Sequence, residues 1–147
     1  MFQQVVLALA LTILTVVLHA AGTVFVAIPF TGVWKPAIDS QPLPRPIWSL
    51  IRLVSLLLML HLMEMIVWAV AFAICKVLPD FDTSLYYSLK SYTTVGYGDV
   101  LPPESWRLVG PIEAAVGILM LGWSTSIIVA AVQRLYNPRV ASPTSER

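Results

Sequence analysis

The sequence predicts an all-α membrane protein with three transmembrane helices and, between the last two, a re-entrant helix followed by a loop. Three observations predict it. Of the 147 residues, 58% are hydrophobic and 12% charged, a balance outside the range of soluble globular domains. The apolar residues are gathered into three long runs, each long enough to cross the hydrocarbon core of a bilayer. Between the second and third runs lies a short segment with helix-cap residues at its start and two closely spaced glycines at its end. That segment is too short to span.

The first run extends from about Val5 to Phe30, and no charged residue appears before Lys35. A cleaved signal peptide is its competing reading. Against that reading, Met1 to Gln4 carry no Lys or Arg, and the apolar stretch is about twice the usual core of ~7–15 residues. Thr31 to Pro46 follows as a linker containing Pro36, Pro42, Pro44 and Pro46, a density that opposes regular helix. The second run, Ile47 to Leu78, is interrupted by Arg52, Glu64 and Lys76 and is long enough to tilt. The third, Leu108 to Val132, holds one charge, Glu113. The expected organisation is an N-terminal transmembrane helix and cytoplasmic linker over 1–46, a central domain over 47–136 and a disordered cytoplasmic tail over 137–147. Within the central domain the expected elements are an outer helix over 47–78, the re-entrant helix and loop over 82–100, and an inner helix over 105–136.

Net charge is +1, which gives no surface for nucleic acid. No soluble partner is evident. Cys75 is the only cysteine and is read as a small packing residue, since one thiol makes neither a disulfide framework nor a metal site. If the re-entrant segment faces outward, Lys35, Arg45, Arg52, Arg134, Arg139 and Arg147 lie inside. Lys76, Lys90 and Arg107 lie outside, among Asp80, Asp82, Asp99 and Glu104. The excess of Lys and Arg on the inner side predicts a multi-pass plasma (inner) membrane protein with its N-terminus outside and its C-terminus cytoplasmic.

Pro79 to Arg107 is the informative stretch. Asp82, Thr83 and Ser84 are good N-caps, and Leu85 to Thr93 offers roughly three helical turns. A loop that returns from membrane depth needs protein around it or a wet cavity beside it. Thr94–Val95–Gly96–Tyr97–Gly98 sets glycine at alternate positions, where φ values that only glycine adopts cheaply let successive carbonyls face one axis. A stripped potassium ion needs about eight oxygens to replace its water, and rings of such carbonyls supply them. The Thr94 hydroxyl adds a further oxygen at the inner end. Val95 and Tyr97 must then point away from the axis, where Tyr86 and Tyr87 are placed to meet them and brace the loop. The C-terminal end of the half-helix carries partial negative charge toward a waiting cation. One chain gives one strand of such a ring, so the fold is expected to close as a C4 homotetramer in the bilayer.

Tyr86–Tyr87–Ser88–Leu89–Lys90–Ser91–Tyr92–Thr93–Thr94–Val95–Gly96–Tyr97–Gly98–Asp99 resembles the pore loop of the potassium-channel family, of the prokaryotic two-helix type, here with an extra N-terminal span. The resemblance covers roughly Ile47 to Tyr136. It implies passive potassium-selective conduction without covalent chemistry, with K+ as permeant ion and no cofactor. It also implies K+ coordination by the carbonyls of Thr94, Val95, Gly96 and Tyr97, Gly98 completing the filter, and Asp99 at the outer mouth. Gly117 and Gly122 fall where inner helices of that family carry bending glycines, although close packing is the alternative.

Two features depart from that pattern. The extra first span contains no Lys or Arg, so it cannot resemble an arginine-rich voltage sensor. Lys90 stands where many relatives carry an acid or an aliphatic residue, and it is expected to pair with Asp99, with Glu113 as rival and snorkelling to the surface as the bland alternative. Thr12, Thr15, His19 and Thr23 share one face of the first span. That stripe is expected to pack on the second span, with His19 or His61 bonding Glu64. Helix–helix adhesion is the preferred reading of this cluster over a titrating pair that tunes gating. A membrane metalloenzyme with His19, His61 and Glu64 as ligands, the last two sharing a helical face, is set aside, because three scattered groups give no specific ligand spacing. Trp34, Trp48, Trp106 and Tyr136 suit the interfacial belt, and Trp68 and Trp123 the packed interior. A weakly selective cation channel and a non-conducting subunit are the other functional readings; the gating stimulus is not encoded in any recognisable motif.

Overall fold

A computed structural model of the chain describes residues 2–33 and 44–136. The expectations for the linker's central stretch, for Lys35 and Trp34 within it, and for the tail 137–147 lie outside the described residues, as do those for the side chains of Arg45, Arg134 and Tyr136. Among the described residues the chain is helical: α1 (Phe2–Val33), α2 (Pro44–Ile74), α3 (Phe81–Tyr92), a 3-10 turn (Glu104–Trp106) and α4 (Val109–Tyr136). Among the described residues three segments are long and apolar enough to cross a membrane, Phe2–Val26, Ile47–Ile74 and Glu104–Gln133.

α1 follows from an apolar run with no interior charge, and its buried residues Gln4, Ala8, Leu11, Thr15, His19 and Val26 recur at helical spacing. The opposite face exposes Leu9, Ile13, Val17 and Val24, the side chains a lipid-facing surface requires. α2 begins earlier than expected. Pro44 and Pro46 sit in its first turn, where no intrahelical N–H is lost. It also stops at Ile74 rather than Leu78. Lys76 takes φ 53°; its amide bonds Ala73 O, and the Val77 amide bonds Phe72 O. This pair of hydrogen bonds around a left-handed residue is a Schellman stop, closed by burial of Val77 and Phe72 in one cluster. Cys75, at that stop, is exposed rather than packed.

α3 opens one residue before the expected start. Its cap is Asp80, not Asp82, Thr83 or Ser84: the Asp80 carboxylate accepts from the Thr83 amide at 2.8 Å and the Thr83 hydroxyl at 3.0 Å. The bond from the Thr83 amide holds the Asp80 carboxyl below its ordinary value. The expected inner helix over 105–136 is divided into the 3-10 turn and α4, with Pro103 preceding the turn and Pro111 in the first turn of α4.

α3 is wedged between α2 and α4, while α1 packs on both spans. One core cluster joins Leu11 of α1, Trp68 and Phe72 of α2, Tyr87 and Tyr92 of α3, and Val116 and Met120 of α4. A second, smaller cluster of Val26, Leu53, Leu57 and Ala131 holds α1, α2 and α4 together at the end that α3 does not reach. In lipid such contacts act through close packing and interhelical hydrogen bonds rather than water exclusion. Gln4 ties the ends of α1 and α4, accepting from the Leu108 amide at 3.3 Å. The start of α1 therefore lies at the same end of the bundle as the 3-10 turn.

Candidate functional site

The loop after α3 is built on backbone geometry. Thr94, Gly96 and Gly98 have φ of 62°, 52° and 77°, with Val95 and Tyr97 between them outside the left-handed region. Left-handed backbone thus occurs at every second residue, and it begins one step earlier than the glycines alone predict. A non-glycine residue there is uncommon and costs energy. Thr94 is held by α3, since its amide donates to Ser91 O at 2.9 Å, and the Gly96 amide donates to Lys90 O at 3.1 Å. The Thr93 hydroxyl caps the same helix end by donating to Leu89 O at 2.6 Å. Among the described residues no carbonyl from Thr94 to Gly98 accepts a hydrogen bond. Five successive oxygens are free for a ligand.

The loop's outer side is held by charge. Lys90, 5% exposed, donates from Nζ to Asp99 Oδ1 at 2.6 Å and to Val100 O at 2.9 Å. The Asp99 carboxylate also accepts from the Tyr86 hydroxyl at 2.6 Å. The Lys90 ammonium, followed by the Tyr86 hydroxyl, holds the Asp99 carboxyl down at about 2. Nζ lies 5.3 Å and 5.5 Å from the ring centroids of Tyr86 and Tyr87, near enough for cation–π attraction. Tyr86, Tyr87, Lys90 and Asp99 are therefore brought together, and Glu113 is not Lys90's partner. Glu113 instead bonds Ser88, whose hydroxyl also reaches Met65 O at 2.8 Å.

The expected packing of Val95 and Tyr97 on Tyr86 and Tyr87 does not occur within one chain. Val95 is 51% and Tyr97 74% exposed. Tyr86 turns to Asp99 instead, and Tyr87 packs edge-on against Phe72 at 5.7 Å between centroids. Gly117 and Gly122 differ from each other. A Cβ at Gly117 would overlap the Tyr92 carbonyl, whereas one at Gly122 meets nothing within 4 Å. Gly110, which the sequence did not single out, is as crowded, facing the Tyr87 hydroxyl.

Deeper in the bundle, His19 Nδ1 lies 2.9 Å from Glu64 Oε1, and the Tyr92 hydroxyl donates to Glu64 Oε2. His61 Nδ1 lies 3.0 Å from the Tyr92 hydroxyl and 3.4 Å from Glu64 Oε2. His61 Nε2 and His19 Nε2 face the Ser124 hydroxyl at 3.0 Å and 3.4 Å. His19 and Glu64 are fully buried, and His61 nearly so. Beside them Trp68 donates to the Thr15 hydroxyl at 2.9 Å, and Trp123, 41% exposed, sets an edge on His19. His19, His61 and Glu64 thus meet as expected of the stripe. Tyr92 and Ser124 join them without having been anticipated, because partners on separate helices leave no spacing to read.

Three spans, a half-helix that enters between two of them and a loop of free carbonyls define a membrane protein built around a re-entrant pore loop. A family model described as ion channel matches residues 47–134, and the chain belongs to that family. The match covers α2, α3, the loop and most of α4; α1 lies outside it. No significant match to a curated protein or to a solved structure was found.

Proposed function

We propose that this ion channel is potassium-selective and that four copies close around Thr94–Val95–Gly96–Tyr97–Gly98. The observation that carries the reading is the left-handed backbone at Thr94, Gly96 and Gly98, an alternation that allows successive carbonyls to face one axis. Rings of such oxygens from four chains exchange for the hydration shell of K+, with Thr94 to Tyr97 as ligands and the Thr94 hydroxyl below them. The exposed side chains of Val95 and Tyr97 support the assembly, because a neighbouring copy would cover what one chain leaves bare. Lys90 and Asp99 brace each strand from behind. Conduction is passive and involves no covalent step; K+ is the substrate and no cofactor takes part. The chain sits in the plasma (inner) membrane with α1 starting outside, in keeping with the Lys and Arg distribution.

Purified protein in planar bilayers with potassium on one side and sodium on the other tests this. A reversal potential near that of K+ is expected. A reversal potential near zero would make the protein a weakly selective cation channel instead.

A further inference from the structure

We propose that His19, His61 and Glu64, with the Tyr92 hydroxyl as fourth donor, form a binding site for a divalent transition-metal ion of the zinc class inside the bundle. One ligand atom from each of the first three residues lies within 4.8 Å of the others, and all three residues are buried. Tyr92 extends the set, its hydroxyl bonded to Glu64 and 3.0 Å from His61 Nδ1. Donors around a four-coordinate ion at about 2.0–2.2 Å stand roughly 3.5 Å apart, so shifts of about 1 Å admit the ion. Two imidazoles and a carboxylate suit zinc and its neighbours, whereas magnesium and calcium take oxygen alone.

The outer side of the rings fits the same occupant. A metal-bound imidazole needs a partner for its other N–H. Both Nε2 atoms face Ser124 Oγ, whose two lone pairs accept from both rings. Without metal, Glu64, His19, Ser124, His61 and Tyr92 close a ring of five hydrogen-bond contacts, so every donor the ion would need already faces its neighbours in the low-dielectric interior. The ion would fasten α1 to α2 and to the last residue of α3, directly before Thr93 and Thr94.

Untagged full-length protein, stripped with a chelator and kept in constant potassium, is titrated with zinc and, as a spectroscopic probe, cobalt(II). The expected result is one ion per chain and a four-coordinate cobalt spectrum. His61→Gln and Glu64→Gln each weaken binding at least about 100-fold, more than loss of an outer partner. Ser124→Ala weakens it about 10–100-fold. Tyr92→Phe still binds one ion but changes the cobalt spectrum, because the fourth donor is lost. Cys75→Ser leaves binding unchanged, which excludes the thiol. Failure of the folded wild-type protein to take up either ion overturns the proposal without reference to any variant, as does undiminished binding in Glu64→Gln.

Discussion

Asp99 is the residue whose ionisation the loop depends on most directly. Its carboxylate holds the Lys90 ammonium and the Tyr86 hydroxyl at once, and its folded pKa of about 2 lies below the ordinary value of about 3.9. A depressed acid stabilises the fold fully above the unfolded value, and that contribution is lost as pH falls through the folded one. Ionic current is therefore expected to stay level from neutral pH to about 4 and to decline as the pH approaches about 2. Lys90→Met should shift the decline upward toward about 3.9, and Asp99→Asn should abolish it. A pH series of currents for the three proteins checks this; an unshifted decline in Lys90→Met would detach the acid limb from the ion pair. Lys90 also shows where sequence reading succeeds. An ammonium at membrane depth requires a partner, and Asp99 was within reach along the same short loop. The involvement of Tyr86 was less legible, because its ring and its hydroxyl offer two different uses.

At the scale of elements, the glycines of α4 separate two reasons for having no side chain. Gly117 lies against the backbone of Tyr92, and backbone cannot give way as a flexible side chain does. Gly117→Ala should therefore destabilise the protein by about 1–3 kcal/mol and displace the base of the loop. Gly122 meets nothing, so Gly122→Ala should be neutral or stabilise by up to about 1 kcal/mol through helix propensity. Thermal unfolding in detergent with current measurements distinguishes them; equal losses from both would reject the packing argument. The end of α2 gives a second prediction. Lys76 occupies a left-handed position that glycine fills without strain, and Lys76→Gly should raise stability by about 1 kcal/mol. A lower unfolding temperature would mean that the lysine side chain contributes more than its backbone conformation costs. Helix existence was readable from hydrophobic length. The ends were not, since the Schellman stop and the Asp80 cap depend on local backbone geometry that apolar patterning does not register.

For the whole molecule, the single chain leaves Val95 and Tyr97 uncovered on the very loop whose carbonyls are free. Native mass spectrometry or chemical cross-linking of detergent-solubilised protein should give a four-chain species. Tyr97→Ala should weaken that species without unfolding the monomer, because Tyr97 makes little contact within its own chain. A monomer that conducts would refute the ring. α1 enters this picture as more than an appended span. It contributes His19 to the buried ring and Gln4 to the start of α4.

The sequence by itself determined that the chain is a membrane protein, which of its runs are long enough to cross and where the re-entrant loop lies. Each of these is written locally: in the length of an apolar run, or in glycine at alternate positions over five residues. Tertiary structure alone decided where Tyr92 and Ser124 belong and how they tie His19, His61 and Glu64 into one buried ring. Those relations arise from helix rotation and depth, and residues on different helices meet at no fixed distance along the chain.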